Sequence, residues 1–185
     1  MKVGIIAWGS LITNSDELLI IHNAWASDGP MLPIEFARIS KDKRITLVIY
    51  PPFEEVKTYC NVSTFENLDN AIENLAKREK TKIENIGFIN FQTGEIKSNK
   101  IPSELKRTFS IWNINRDFDA LIWTDLDENF KVKMNRPFSL EASIEHLKSL
   151  SKSEFELAKN YILSTPENTQ TRHRKALTEF LKANN

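Results

Sequence analysis

The sequence predicts an α+β fold, with a mixed β-sheet or small β-barrel core, flanking helices and a helical C-terminal region. Three observations predict it. Short apolar or alternating runs closed by turn residues recur through residues 1–126. One strongly amphipathic helix, over residues 66–80, interrupts them, and from residue 139 onward the apolar spacing turns helical. Residues 1–135 read as the core and residues 136–185 as helices packed on it. The 185 residues suit a single domain able to bury a core, with no internal repeat, low-complexity tract or long linker.

The elements follow in chain order. Val3, Ile5, Ile6 and Ala7 form a short unbroken apolar run, as a strand buried on both faces would. Gly9, which has no Cβ, lets the backbone turn sharply or approach a ligand closely. Ser15, Asp16 and Glu17 read as the capped, acidic first turn of a helix. A strand, a small-residue loop and a helix start in that order leave backbone N–H groups free to hold an anion. Taken alone, Gly9 and Ser10 read as a plain turn before they read as a site. Leu18, Ile21, His22 and Trp25 recur at helical spacing, and Asp28, Gly29 and Pro30 end that helix. His22 on this stripe reads as a packed core histidine rather than a ligand.

Residues 34–40 and 45–50 are two strands joined by the polar turn Lys41, Asp42, Lys43 and Arg44, hence a hairpin. Pro51 and Pro52 stop it, and Val56, Thr58, Cys60 and Val62 alternate with polar neighbours as one half-buried strand. In the helix of residues 66–80, Leu68, Ala71, Ile72, Leu75 and Ala76 share a face. Glu79 lies about 20° from Leu68 and Ile72 on the helical wheel, while Lys77 and Arg78 point away. A carboxylate on an apolar face is expensive to bury without a partner, so the position is informative. The other reading is an exposed final turn of a fraying helix.

Residues 86–92 and 96–100, divided by Thr93 and Gly94, suggest a second hairpin; residues 102–112 are ambiguous; residues 120–126 are strand-like. Asp125, Asp127 and Asn129 imitate the start of a calcium loop. Phe130 stands where that loop needs Gly and Arg136 where it needs Glu, which excludes it. Ile144 and Leu147, then Phe155, Ala158, Tyr161 and Ile162, then Leu177, Phe180 and Leu181 mark the C-terminal helices, with Ser151 or Ser153 as a cap and Pro166 beyond the second.

Charge and motifs narrow the function. Lys plus Arg equals Asp plus Glu at 25 each, so no overall field favours nucleic acid or an anionic membrane surface. The single Cys60 rules out an internal disulfide and a cysteine-based zinc site. With no spanning run or signal-peptide pattern, a soluble cytoplasmic protein is expected; the oligomeric state stays open. Gly4 and Gly9 have P-loop spacing, but Ser10 occupies the lysine position. Ser10 as a nucleophile would need one of the three histidines, His22, His146 or His173, as its base, and it lacks the nucleophile-elbow pattern. The basic run of Arg172, His173, Arg174 and Lys175 reads as a solvated face.

A glycine-serine loop after the first strand and a carboxylate on a buried helix face some seventy residues later remain. Trp8, Gly9, Ser10 and Leu11 match a Y-G-S-[NL]-L type motif with Trp for Tyr. Phe36, Ala37, Arg38, Ile39 and Ser40 are similar to an F-x-R-x-S segment, and Arg78 and Glu79 to an R-E pair ending a helix. In this order they resemble the gamma-glutamylcyclotransferase-like superfamily over about the first 95 residues. Two features depart from its pattern: Trp8 lacks the phenol hydroxyl, and no Gly-Tyr follows Glu79. The resemblance implies a small-molecule γ-glutamyl substrate and cofactor-independent release of 5-oxoproline. It implies Glu79 as the catalytic acid and base, and Trp8, Gly9, Ser10, Leu11 and Arg38 as substrate-binding residues. A non-catalytic binding module on the same scaffold is the alternative.

Overall fold

The computed structural model of the protein describes residues 1–98, 100 and 103–184. In chain order the elements are β1 (Val3–Ala7), α1 (Ser10–Thr13), β2 (Met31–Leu32), β3 (Ile34–Ile39), β4 (Ile45–Ile49), β5 (Val56–Lys57), β6 (Tyr59–Val62), α2 (Leu68–Arg78) and a 3-10 turn (Ile83–Asn85). They continue with β7 (Ile86–Asn90), β8 (Ile96–Lys97), α3 (Ser103–Asn113), β9 (Ala120–Thr124), α4 (Phe130–Met134), α5 (Leu140–Ser149), α6 (Lys152–Leu163) and α7 (Arg174–Ala183). The class is α+β. Among the described residues a five-stranded mixed sheet runs β6-β1-β9-β7-β8, with β3-β4 and β2-β5 as separate pairs, and the sheet is open rather than closed into a barrel.

β1 lies inside the sheet, parallel to β9 in the register Val3↔Ala120 and antiparallel to β6 in the register Ile6↔Cys60. Its unbroken apolar run follows from having two covered faces. Val3, Ile5 and Ala7 pack with Ile72, Leu75 and Ala76 of α2. Ile6 and Trp8 face a larger core shared with Ile34 and Phe36 of β3, Ala158 and Ile162 of α6, and Leu177 and Leu181 of α7. The sheet is thus a middle layer, with α2 on one face and the β3-β4 hairpin backed by the C-terminal helices on the other.

Local chemistry sets the helix ends. Asn67 caps α2 by accepting from the Asn70 N–H, Asp69 sits in the first turn, and Lys77 and Arg78 sit in the last, each sign matched to the helix dipole. Ser151 and Glu154 close a capping box on α6. No described helix is long and apolar enough to cross a membrane.

Gly87 of β7 stands opposite Trp123 of β9. A Cβ there would lie 2.5 Å from Trp123 Cε2 and 2.8 Å from Cζ2. Trp123 is fully buried and stacked on Phe109, with ring centroids 5.1 Å apart, so it has nowhere to move. Gly87→Ala is therefore expected to destabilise the protein by about 1–3 kcal/mol through overpacking, measured as a shift of the urea unfolding midpoint at unchanged slope.

Several expectations are corrected. Residues 18–25 are not helical: Leu18 is buried, but Ile21 is 57% exposed and His22 is exposed as well, so His22 is not a core histidine. The segment instead runs along the edge of β6, through bridges Ile20↔Ser63 and Ala26↔Cys60, and the Asn61 side chain grips the N–H and C=O of His22. Covering a strand edge outweighs a four-residue periodicity. The only helical turn near Ser15 is α1, which starts at Ser10, and Glu17 adopts a left-handed φ of 67°. The strand expected from Val56 to Val62 is split at Thr58. Thr58 donates through Oγ1 to the Pro30 carbonyl and accepts from the Gly29 N–H, so β5 pairs with β2 and β6 with β1.

Both hairpins form, β3-β4 close to the expected bounds and β7-β8 with shorter strands, Ile86–Asn90 and Ile96–Lys97. Ser103–Asn113 of the ambiguous stretch is helical. Asn99 and Pro102, which fell within the stretches read above, lie outside the described residues. The imitation calcium loop has another use: Asn129 caps the edge of β3 through the N–H and C=O of Ile39, and no cluster of potential metal ligands occurs among the described residues.

Candidate functional site

β1 and β9 run parallel, and a crevice opens where they end side by side. Carboxyl ends of adjacent parallel strands are a recurrent place for ligands, because the chain must leave the sheet there and opens a gap. The crevice is lined by Ala7, Trp8 and Gly9 from the end of β1, Ser10 and Leu11 of α1, Leu47 of β4, Thr124 of β9, Tyr161 of α6, and Glu79. Its free volume is about 40 Å³. That space takes a water or one functional group, not a whole metabolite.

Glu79 is the C-cap of α2, donating its N–H to the Leu75 carbonyl. The helix therefore persists long enough to carry Glu79 on the buried face, and its side chain is 20% exposed. Burial raises its pKa above the ordinary carboxyl value, partly offset by the positive charges of Arg78 and Arg44. Arg78 does not point away as the wheel predicts. Its long side chain folds back over the helix end, Nη1 donates to Glu79 Oε1 at 2.9 Å, and Nη2 donates to the Asn14 carbonyl just beyond α1. One guanidinium thereby ties the loop helix to the carboxylate.

Trp8 is 4% exposed, and its indole is in the core, donating to the Leu47 carbonyl at 3.4 Å. It anchors the loop to β4 and can offer a ligand little beyond its backbone. At Gly9 a Cβ would lie 2.9 Å from the Tyr161 hydroxyl, so the close approach of loop and helix needs glycine. The N–H groups of Gly9, Ser10 and Leu11 make no hydrogen bond among the described residues. A four-residue α1 has little macrodipole, so these free donors are what the loop brings to an anion.

Arg38 is not in the crevice. It lies on β3 opposite Thr46 and donates to the Asp127 carbonyl at 2.5 Å, and burial lowers its pKa. No histidine lines the crevice either. His22 sits at a separate cavity, His146 Nε2 lies 2.7 Å from the Lys43 carbonyl, and His173 packs against Phe53 and Phe138, so Ser10 has no imidazole base beside it. Arg174 of the basic run spends its guanidinium on the carbonyls of Thr165, Pro166 and Thr169, closing the loop before α7.

Tyr161 is the residue that sequence reasoning missed. Its hydroxyl accepts from the Leu47 N–H at 3.3 Å, and burial pushes its pKa up to about 12, with nearby Glu79 adding to the rise. A tyrosine in an apolar helical stripe was the available signal, since a buried phenol requires a polar partner. No family model matches the chain, and neither a curated protein nor a solved structure matches it.

Proposed function

We propose that the protein is a γ-glutamylcyclotransferase-like enzyme that converts a γ-glutamyl amine or peptide to 5-oxoproline and a free amine. The observation that supports this reading is the placement of a mostly buried carboxyl, Glu79, across one crevice from the unpaired N–H groups of the loop at residues 9–11.

The chemistry draws only on groups of the chain. Glu79 takes a proton from the substrate's α-ammonium, and the freed amine attacks the γ-carbonyl carbon. The C=O electrons move onto oxygen, where the loop N–H groups stabilise the oxyanion. As the carbonyl re-forms, the bond to the leaving nitrogen breaks; Glu79 returns the first proton to that nitrogen and passes on the second proton that the attacking nitrogen sheds, so a lactam N–H forms and the amine leaves as its ammonium. A carboxyl that both takes and returns a proton works best with a pKa above its ordinary value, the direction burial gives Glu79. Arg78 fixes the carboxylate, and Tyr161 closes the crevice beside Gly9 of the loop.

The small enclosed volume favours a second reading, a non-catalytic small-molecule or partner-binding module on the same scaffold. Incubating the protein with γ-glutamyl amino acids, dipeptides and amines and measuring 5-oxoproline separates the two. Enzymatic release is the expected result. Saturable binding of a γ-glutamyl compound without release from any of the panel points to the binding module, and neither release nor binding removes both readings.

A further inference from the structure

Arg44, in the turn between β3 and β4, is not used by the mechanism above. Its guanidinium lies over the ring of Tyr161, 5.2 Å from the centroid. Nε is ion-paired with Asp42 Oδ2 at 2.8 Å, an interaction that, against the opposite effect of burial, helps hold the Asp42 carboxyl below its ordinary value, while the two terminal nitrogens make no hydrogen bond among the described residues. The side chain is 33% exposed, so an incoming group can reach it. A guanidinium presents parallel N–H groups that match the two oxygens of a carboxylate, and a ring beneath it holds the plane in place.

The position of Arg44 points to the part of the ligand it reads. The free volume of the crevice, about 40 Å³, takes the reacting end only. Glu79 and the loop N–H groups occupy that end, so the leaving amine lies toward the mouth. Arg44 does not itself line the crevice, but its guanidinium lies over the ring of Tyr161, which does, and close enough to Glu79 for its charge to act on that carboxyl. We propose that Arg44 is a specificity-determining residue that binds a carboxylate carried by the leaving amine, so that the preferred substrates are γ-glutamyl amino acids or peptides rather than neutral γ-glutamyl amines. The inference rests on the γ-glutamyl reading of the crevice.

The test compares γ-glutamyl-alanine with γ-glutamyl-alaninamide, which differ only in that carboxylate, in wild type, Arg44→Gln and Arg44→Lys. Wild type is expected to favour the acid at least tenfold in kcat/KM, mainly through KM. Arg44→Gln should bring the ratio close to one, and Arg44→Lys should restore part of it, since an ammonium keeps the charge without the fork. Equal use of both compounds by wild type, or the same ratio in Arg44→Gln, overturns the inference while leaving the cyclotransferase reading intact. If neither compound is turned over, calorimetric binding of the same pair decides. Tighter binding of the acid by wild type that disappears in Arg44→Gln sustains the role of Arg44 although the catalytic reading has failed. Equal or undetectable binding overturns both.

Discussion

Glu79→Gln lowers the rate of 5-oxoproline release by about a hundredfold to ten-thousandfold on the proposed mechanism, the range a positioned general acid and base contributes. The amide keeps the shape of the side chain and a carbonyl oxygen for Arg78 Nη1, so α2 and its C-cap should survive. A circular dichroism spectrum and thermal transition close to wild type, together with lost turnover, is the expected pair of results. Equal turnover in the two proteins sinks the role given to Glu79.

The pH profile adds a second reading of the same carboxyl. The mechanism needs Glu79 ionised in the free enzyme, so kcat/KM should rise with pH through its raised pKa, placing the acid limb above the ordinary value of 4.5. Stability runs the other way. A carboxyl with a raised folded-state pKa contributes most below its unfolded pKa, and that contribution is lost as pH rises through the folded value. Glu79→Gln should flatten the acid limb and this part of the stability profile together.

Glu35→Ala is expected to cost about 3–5 kcal/mol of stability, a large share of the roughly 5–15 kcal/mol that a folded domain holds. Glu35 of β3 is fully buried. Its carboxylate accepts from the Phe36 N–H at 2.7 Å, from Thr171 Oγ1 at 2.7 Å and from the His173 N–H at 3.0 Å. Alanine would strand those donors and untie the segment leading into α7. Unfolding followed by fluorescence should show a midpoint lower by roughly 10 °C. Glu35→Gln keeps one carbonyl acceptor and should lose less. A loss below about 1 kcal/mol for the alanine variant would mean that water or a rearranged loop replaces the carboxylate.

The parts legible in the sequence were those in which a local pattern and its tertiary use agree. The β3-β4 hairpin has alternating apolar residues and a polar turn, and α2 has a stripe, a cap and charges of the right sign at each end. The segment over residues 18–25 was misread because its stabilising partners, Asn61 and Asn74, are side chains far along the chain that hold extended backbone, and no periodicity records them. At the crevice, the glycine loop and Glu79 were legible as unusual residue choices. Tyr161 was hidden because its stripe also fits plain core packing, and Arg44 because a turn arginine usually faces solvent. Arg38 drew notice through a short motif, but strand direction and the Asp127 carbonyl in the loop after β9 take it elsewhere.

The parallel pairing of β1 with β9 also bears on how the protein folds. Val3 and Ala120 are neighbours in space but far apart in the chain, so the ladder whose end forms the crevice carries one of the larger loop-closure costs in the molecule. The β3-β4 hairpin and α2 need only nearby residues and can form early. The crevice assembles only once the central ladder is closed and α6 has brought Tyr161 against Leu47, so an intermediate rich in secondary structure would still lack a site.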